Sequence, residues 1–489
     1  VKTPNIDRLA KQGIMFTRCY SSQYCCPARA SLLMGVHDSH SRSYTQTNGG
    51  LVITAEQQGW SNEELEKKAA RAARIKPSGG EVFLPELLKK AGYVTGQFGK
   101  LEWGFTTWHG ELKRHGWDRY VGYMDHQRAH GYYPSFLWKD GERLPLPGNT
   151  HADGGKTPEI YGPGATEKRR GNRDGKVTYA PDAMLAETLK FMEENRNRPM
   201  FILFSTNLPH GPVDIPPAEN KYAGHPAIRQ AYAGAAGGNR ECAGAAEEYA
   251  SMVDKLDRQV GAILAQVHKL GLEKRTIIVF SSDNGHELYY RTDKERGRGL
   301  NCHGGVLDGT GELLDVFRGS RGLIGQKNAM VNLAGLKWTN HEGGIRIPLI
   351  VSWPGTVPHG KVCRSLVANY DHMATFAELA GVGMPEGKDS VSYKNMLFGK
   401  PSSQRDYVVV DHTVITGDGW KLTHKQDKWL LFQISSDPEE RHNLAETRKD
   451  QLERLQAIYR KEAGSPRKDR QKPEQPRKTA LFPPLAFAG

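Results

Sequence analysis

The feature that most constrains this chain is a helix-then-strand alternation that occurs twice, each time ending in an unbroken apolar run. Across residues 182–195 the apolar positions Met184, Leu185, Leu189 and Met192 follow a helical period. The run Pro199-Met200-Phe201-Ile202-Leu203-Phe204-Ser205 then reads as a buried strand. The pattern returns more strongly downstream. Tyr249, Met252, Val253, Leu256, Val260, Ile263, Leu264 and Val267 mark one long amphipathic helix, and Arg275-Thr276-Ile277-Ile278-Val279-Phe280-Ser281 is the strand after it. Shorter helices are expected over 6–13, with Leu9 and Ala10 buried, and over 83–92, with Leu84, Leu87 and Leu88 as the stripe and Gly92 as the stop. Such an order predicts an α/β fold. In open α/β sheets ligand-binding groups gather beyond the carboxyl ends of the strands, which puts residues 207–212 and 283–285 on one rim.

Near residue 400 the character changes. Tyr407-Val408-Val409-Val410, Trp420-Lys421-Leu422-Thr423 and Lys428-Trp429-Leu430-Leu431-Phe432 are short strands between polar turns. The expected division is a main α/β domain over 1–400, a small antiparallel subdomain over 401–462 and a basic, proline-rich, disordered tail over 463–489. Residues 42–80 and 219–244 read as insertions, the first polar with a charged helical piece, the second rich in glycine and alanine.

With 489 residues, 38 % of them hydrophobic, the chain can bury a large core. No run of about 18 apolar residues occurs, which excludes a spanning helix. The opening Val1-Lys2-Thr3-Pro4-Asn5 already reads as the interior of a domain, with no signal peptide visible. A formal charge of +12 favours an anionic partner or substrate. Nucleic acid is not expected, because no helix-turn-helix, zinc-finger or RNA-platform pattern accompanies the charge. The six cysteines (19, 25, 26, 242, 302 and 363) match neither a disulfide framework nor a zinc spacing.

The strongest local signal is Cys25-Cys26-Pro27-Ala28-Arg29-Ala30-Ser31-Leu32-Leu33-Met34-Gly35, a cysteine with proline two later and arginine four later, opening an apolar helix. Further motifs follow in order. Thr3-Pro4-Asn5-Ile6-Asp7-Arg8-Leu9-Ala10 precedes it; Gly99-Lys100, Leu208-Pro209-His210-Gly211-Pro212 and Ser282-Asp283-Asn284-Gly285 come after. Lys337 then stands five residues before Glu342-Gly343-Gly344-Ile345-Arg346-Ile347-Pro348. Trp353-Pro354-Gly355, Gly419-Trp420-Lys421-Leu422 and Asn443-Leu444-Ala445 complete the series. Together these resemble the formylglycine-dependent sulfatases of the alkaline phosphatase superfamily, over residues 3–445.

That resemblance implies an alkaline-phosphatase-like fold, a large mixed and mostly parallel sheet flanked by helices, with the antiparallel subdomain at its C-terminal end. It implies a sulfuric ester hydrolase whose Cys25 is oxidised to formylglycine by a formylglycine-generating enzyme. The chemistry motivates the modification: one hydroxyl of a hydrated aldehyde attacks sulfur, and deprotonation of the other then expels sulfate, which a thiol could not do. Asp283 and Asn284, with the Cys25-derived oxygen, are implied ligands of calcium, a hard cation that takes oxygen donors. Arg29, one helical turn after Cys25, offsets negative charge; Lys100 and Lys337 are donors to sulfate oxygens. His210 is the candidate for protonating the leaving alcohol.

Two departures stand out. The family's sheet begins with a strand ending in two aspartates that complete the metal site, and nothing here precedes Val1, so the expectation is a truncated sequence rather than a dead enzyme. Many members carry a histidine two residues after the Lys100 position; here Glu102 stands there, either as a base or as an acceptor for a sugar hydroxyl. The segment 125–133, with His126, His130, Tyr132 and Tyr133, suits either a substrate wall or structural packing. The substrate implied is a sulfated carbohydrate, and polymeric sulfated glycans are met outside the cytoplasm, so a periplasmic or secreted enzyme is expected. The alternatives are a phosphonate or phosphate ester hydrolase of the same superfamily and a non-catalytic binder of sulfated glycans.

Overall fold

The structure is a computed structural model; it describes residues 1–40, 54–55, 58–72, 81–102, 108–126, 128–149, 175–233, 240–287, 321–323, 330–335, 337–400, 405–425 and 427–463. The expected basic tail and most of the 42–80 insertion lie outside these residues. The long amphipathic helix of the sequence is Arg240–Lys269, and the one before it is Ala180–Glu194, each delivering the chain into a strand, Ile278–Ser281 and Met200–Ser205 respectively.

Among the described residues, mixed sheets flanked by helices carry the main domain, in two five-stranded groups and a two-stranded pair, Arg321–Leu323 with Met330–Asn332. In one, strand Gly13–Tyr20 is central: it runs parallel to Lys361–Cys363 and Val367–Ala368 and antiparallel to Arg346–Ser352, which in turn pairs with Ile278–Ser281. Between the partners Phe16↔Leu349 and Cys19↔Ile347 the register shifts, so that Thr17 and Arg18 face Pro348. Proline has no N–H to give the ladder, and a bulge is the usual accommodation. In the other group the order is Glu142–Pro145, Phe136–Lys139, Arg119–Tyr123, Val94–Lys100, Met200–Ser205, the last three mutually parallel. The outermost strands Met200–Ser205 and Ile278–Ser281 are half-buried, and Met200, Ile202 and Ile278 share a cluster with Met192, Ile263 and Val267 of the two long helices.

The C-terminal unit is a four-stranded antiparallel sheet in sequence order, Tyr407–Val410, Thr413–Thr416, Trp420–Lys425 and Lys428–Gln433. Alternation of side chains along a strand gives it two apolar faces. Val408, Val410, Ile415 and Phe432 pack on Tyr20, Ile345 and Tyr370 of the main domain, while Val409, Val414, Leu422 and Leu431 receive Leu455 and Tyr459 of helix Lys449–Ala463. A charged contact fixes the junction. Lys421 Nζ lies 3.1 Å from Glu342 Oε1 and 2.9 Å from Glu440 Oε1, with both the Lys421–Glu342 and Lys421–Glu440 side-chain pairs fully buried. The other Glu342 oxygen accepts from Tyr20 Oη (2.9 Å) and Arg346 Nη1 (3.2 Å).

Candidate active site

Cys25 is the first residue of helix Cys25–Met34, where unpaired backbone N–H groups and the helix dipole favour negative charge. Lys100 ends strand Val94–Lys100, and its Nζ stands 3.4 Å from Cys25 Sγ. Hydrogen bonding from the neighbouring Cys26, opposed by burial and reinforced by Lys100, His126 and Lys337, holds the Cys25 thiol well below its ordinary range. Arg29, one turn further along, is buried and does not face the solvent: its Nε and Nη2 donate to the carbonyls of Glu102 and Lys100. The guanidinium thereby locks the end of the Lys100 strand against the Cys25 helix.

Beyond strand Met200–Ser205 the chain brings in His210, whose Nδ1 donates to the Gly211 carbonyl, leaving Nε2 as an acceptor 3.0 Å from Lys337 Nζ. Lys337 is buried and also 2.7 Å from Glu287 Oε2, itself 3.2 Å from His210 Nε2. Burial opposes the lysine's charge, but Glu287, with Cys25 and Asp283 nearby, more than offsets it and raises the Lys337 pKa. Lys337 is thus a firmly charged ammonium shared by a histidine and a carboxylate.

Asp283 and Asn284 follow strand Ile278–Ser281. The Asp283 carbonyl accepts from Ser21 Oγ at 2.6 Å, and the Asn284 amide nitrogen donates to the Gly285 carbonyl at 2.7 Å. Asn284 Oδ1 is buried without a hydrogen-bond partner. A buried orphan oxygen on the residue after an aspartate suits a hard cation in its donor chemistry, so these two residues fit the expected ion. Their loop is interlocked with its neighbours backbone to backbone: Gly285 N–H donates to the Gly344 carbonyl (2.9 Å), His286 N–H to Gly343 (3.1 Å), and Lys337 N–H to His286 (2.8 Å). A Cβ on Gly285 would lie 2.0 Å from the Gly343 oxygen.

The three proposed substrate contacts have different surroundings from those expected. The Glu102 carboxylate is buried and accepts from His115 Nδ1 (2.7 Å) and Trp117 Nε1 (3.1 Å), an inward structural pairing and not an outward acceptor. His126 is fully buried; its Nε2 faces the Leu101 carbonyl at 3.1 Å, and because a carbonyl can only accept, Nδ1 is the acceptor, 3.3 Å from Cys26 Sγ. Burial, then Lys100, lowers its pKa to about 3, so it is a neutral support behind the nucleophile. His130 stacks on His210, with ring centroids 4.3 Å apart. Tyr132 and Tyr133 are buried against Tyr179 as packing residues.

Sequence reasoning missed Glu287, although it stands only four residues after Asp283 in the same loop. It also missed an aromatic pair flanking the centre. Tyr24, just before Cys25, stacks on Trp338, just after Lys337, at 4.8 Å and 19°, and Trp338 is 44 % exposed.

The sulfatase family model matches residues 1–382. The chain belongs to the sulfatase family. A second model, for the C-terminal region of N-sulphoglucosamine sulphohydrolase, matches residues 337–463. Among curated relatives, the N-acetylgalactosamine-6-sulfatase of Canis lupus familiaris is 26 % identical over 390 residues, 79 % of this chain and 59 % of the relative. The chain therefore spans somewhat over half the length of such relatives. The N-acetylgalactosamine-6-O-sulfatase of Bacteroides thetaiotaomicron is 24 % identical over 526 aligned residues, covering 94 % of this chain and 88 % of that protein. Among solved structures, a Bacteroides thetaiotaomicron sulfatase from a glycosaminoglycan-metabolism locus superposes with a TM-score of 0.64 at 20 % identity, covering 94 % of each chain. BT4656, solved with its substrate D-glucosamine-2-N,6-O-disulfate, gives 0.59 at 18 % identity, covering 96 % and 95 %. This sulfatase-family chain shares their fold.

Proposed function

We propose that this chain hydrolyses sulfate esters of a carbohydrate, a 6-O-sulfated N-acetylhexosamine being the class favoured by its curated relatives. The observation that carries the reading is the convergence of Lys100 and the Lys337–His210 pair on Cys25 at a helix N-terminus. Formylglycine made from Cys25 by a formylglycine-generating enzyme supplies the nucleophile. Asp283 and Asn284 would hold calcium, which when bound draws charge from a sulfate oxygen.

The remaining roles belong to this chain's side chains. Lys100 and Lys337 donate to sulfate oxygens as charge develops. His210 Nε2 first takes a proton from the Lys337 ammonium that faces it and then passes that proton to the leaving alcohol, so the lysine ends neutral and the alcohol leaves protonated. Glu287 keeps both in place. The exposed face of Trp338 receives a sugar ring, and a periplasmic or secreted location follows from polymeric sulfated substrates.

The test is sulfate release from 6-O-sulfated N-acetylgalactosamine, 6-O-sulfated N-acetylglucosamine and an aryl sulfate, using the full reading frame co-expressed with a formylglycine-generating enzyme. Release that disappears in Cys25→Ala supports the proposal. Absence of release from protein whose Cys25 is converted, together with turnover of a phosphonate ester, would replace it with the phosphoester reading.

A further inference from the structure

Away from this centre, four side chains from three distant segments converge where the C-terminal helix meets the segment after the Cys25 helix. His37 and His40 follow the Gly35 cap, Asp389 precedes helix Lys394–Leu397, and Glu462 lies in the last turn of Lys449–Ala463. One potential ligand atom from each lies within 4.8 Å of all the others.

Hydrogen bonding accounts for part of this cluster only. His40 Nδ1 is 2.9 Å from both Asp389 oxygens, and the His37 backbone N–H donates to Asp389 Oδ2 at 2.9 Å. Glu462 Oε1 is occupied by Tyr407 Oη at 2.6 Å and Lys461 Nζ at 2.9 Å, which turns Oε2 toward His37. The His37 side chain is 3 % exposed, yet neither ring nitrogen has a hydrogen-bond partner. Its Nε2 points at Asp389 Oδ2 and Glu462 Oε2 from 3.7 and 3.9 Å, beyond hydrogen-bond reach. Those spacings suit ligands of a shared ion: zinc bonds of about 2.0–2.1 Å set tetrahedral ligand–ligand edges of about 3.3–3.4 Å.

We propose that His37, His40, Asp389 and Glu462 form a structural site for a first-row transition cation of the zinc class. Two imidazoles with two carboxylates select such an ion over calcium. The partners already orienting the ligands supply the outer support that metal sites need: Tyr407 and Lys461 on Glu462, and the Asp389 N–H on the Gly35 carbonyl (2.9 Å). The bound ion clips the end of helix Lys449–Ala463 to the main domain, and none of its four ligands is among the residues given a role in catalysis.

The test uses chelator-stripped full chain titrated with Zn²⁺ alone, with Co²⁺ as a spectroscopic probe. Expected are one tight zinc equivalent, a higher melting temperature on binding, and cobalt d–d bands without a thiolate charge-transfer band. His40→Ala, at a 43 % exposed side chain, and Glu462→Gln should each weaken binding by at least the roughly 10–100-fold that losing even an outer partner costs. No zinc uptake, uptake unchanged in both variants, or a thiolate band placing the ion at cysteines would overturn the proposal.

Discussion

Glu287 Oε2 lies 2.7 Å from the Nζ of Lys337, an ion pair between two buried or nearly buried side chains. The same carboxylate oxygen lies 3.2 Å from His210 Nε2, the nitrogen directed at that lysine. Replacing Glu287 by Gln keeps the shape and removes the charge. Sulfate release should fall about tenfold or more in kcat/KM, a part of the roughly 10²–10⁴ that acid–base catalysis contributes. The alkaline limb of the pH profile should move to lower pH, because Lys337 loses the carboxylate that raises its pKa. A purely structural role would lower stability and leave that profile unmoved.

Trp338→Ala tests the proposed sugar platform. Ring stacking contributes about 0.5–1.5 kcal/mol, so KM for a sulfated sugar should rise several-fold while kcat holds. An aryl sulfate, which needs no sugar platform, should be less affected, and equal losses on both substrates would remove the platform from the account.

His115 makes stability depend on pH. Burial opposes its charge, but Glu102 and Glu111 more than compensate and push its pKa up to about 9. A folded-state pKa above the unfolded value of about 6.5 means that the stabilisation is complete below about pH 6.5 and is lost as pH rises through about 9. Urea midpoints should therefore fall across this window. His115→Gln should start lower and lose that slope, as denaturation measured at pH 6 and 9.5 would reveal.

Lys421→Met leaves Glu342 and Glu440 facing each other without their shared cation. Removing one partner of a buried pair costs about 3–5 kcal/mol. The main and C-terminal units meet at this point, so the loss should appear as a lower unfolding midpoint for the whole chain. Double replacement of Lys421 and Glu440 by Met and Gln should recover part of it.

The fold was legible wherever periodicity was strong. Leu189 and Met192, Ile263 and Val267 mark helices that the structure contains, and Val408-Val409-Val410 shows the two-faced alternation of its sheet. The centre was legible through ordered motifs, and Cys25, Lys100, His210 and Lys337 do meet. Glu102 and His126 were misread for a physical reason: a polar residue beside a motif looks the same in sequence whether it faces solvent or turns inward to His115 or Cys26. Glu287 was invisible because its partners are 50 residues away at Lys337 and 77 at His210. The His37 cluster joins positions separated by as many as 425 residues, beyond any local pattern.

The backbone lock among Gly285, Gly343 and Lys337 has an evolutionary consequence. A methyl group at Gly285 would collide with the Gly343 carbonyl, and one at Gly343 would lie 2.2 Å from the Gly335 oxygen. The loop bearing Asp283 and Asn284 therefore cannot drift relative to the loop bearing Lys337; the two travel through sequence space as one part. What remains open to exchange at that part's border is the stacked pair Tyr24 and Trp338, whose rings, and not the locked backbone, face what binds there.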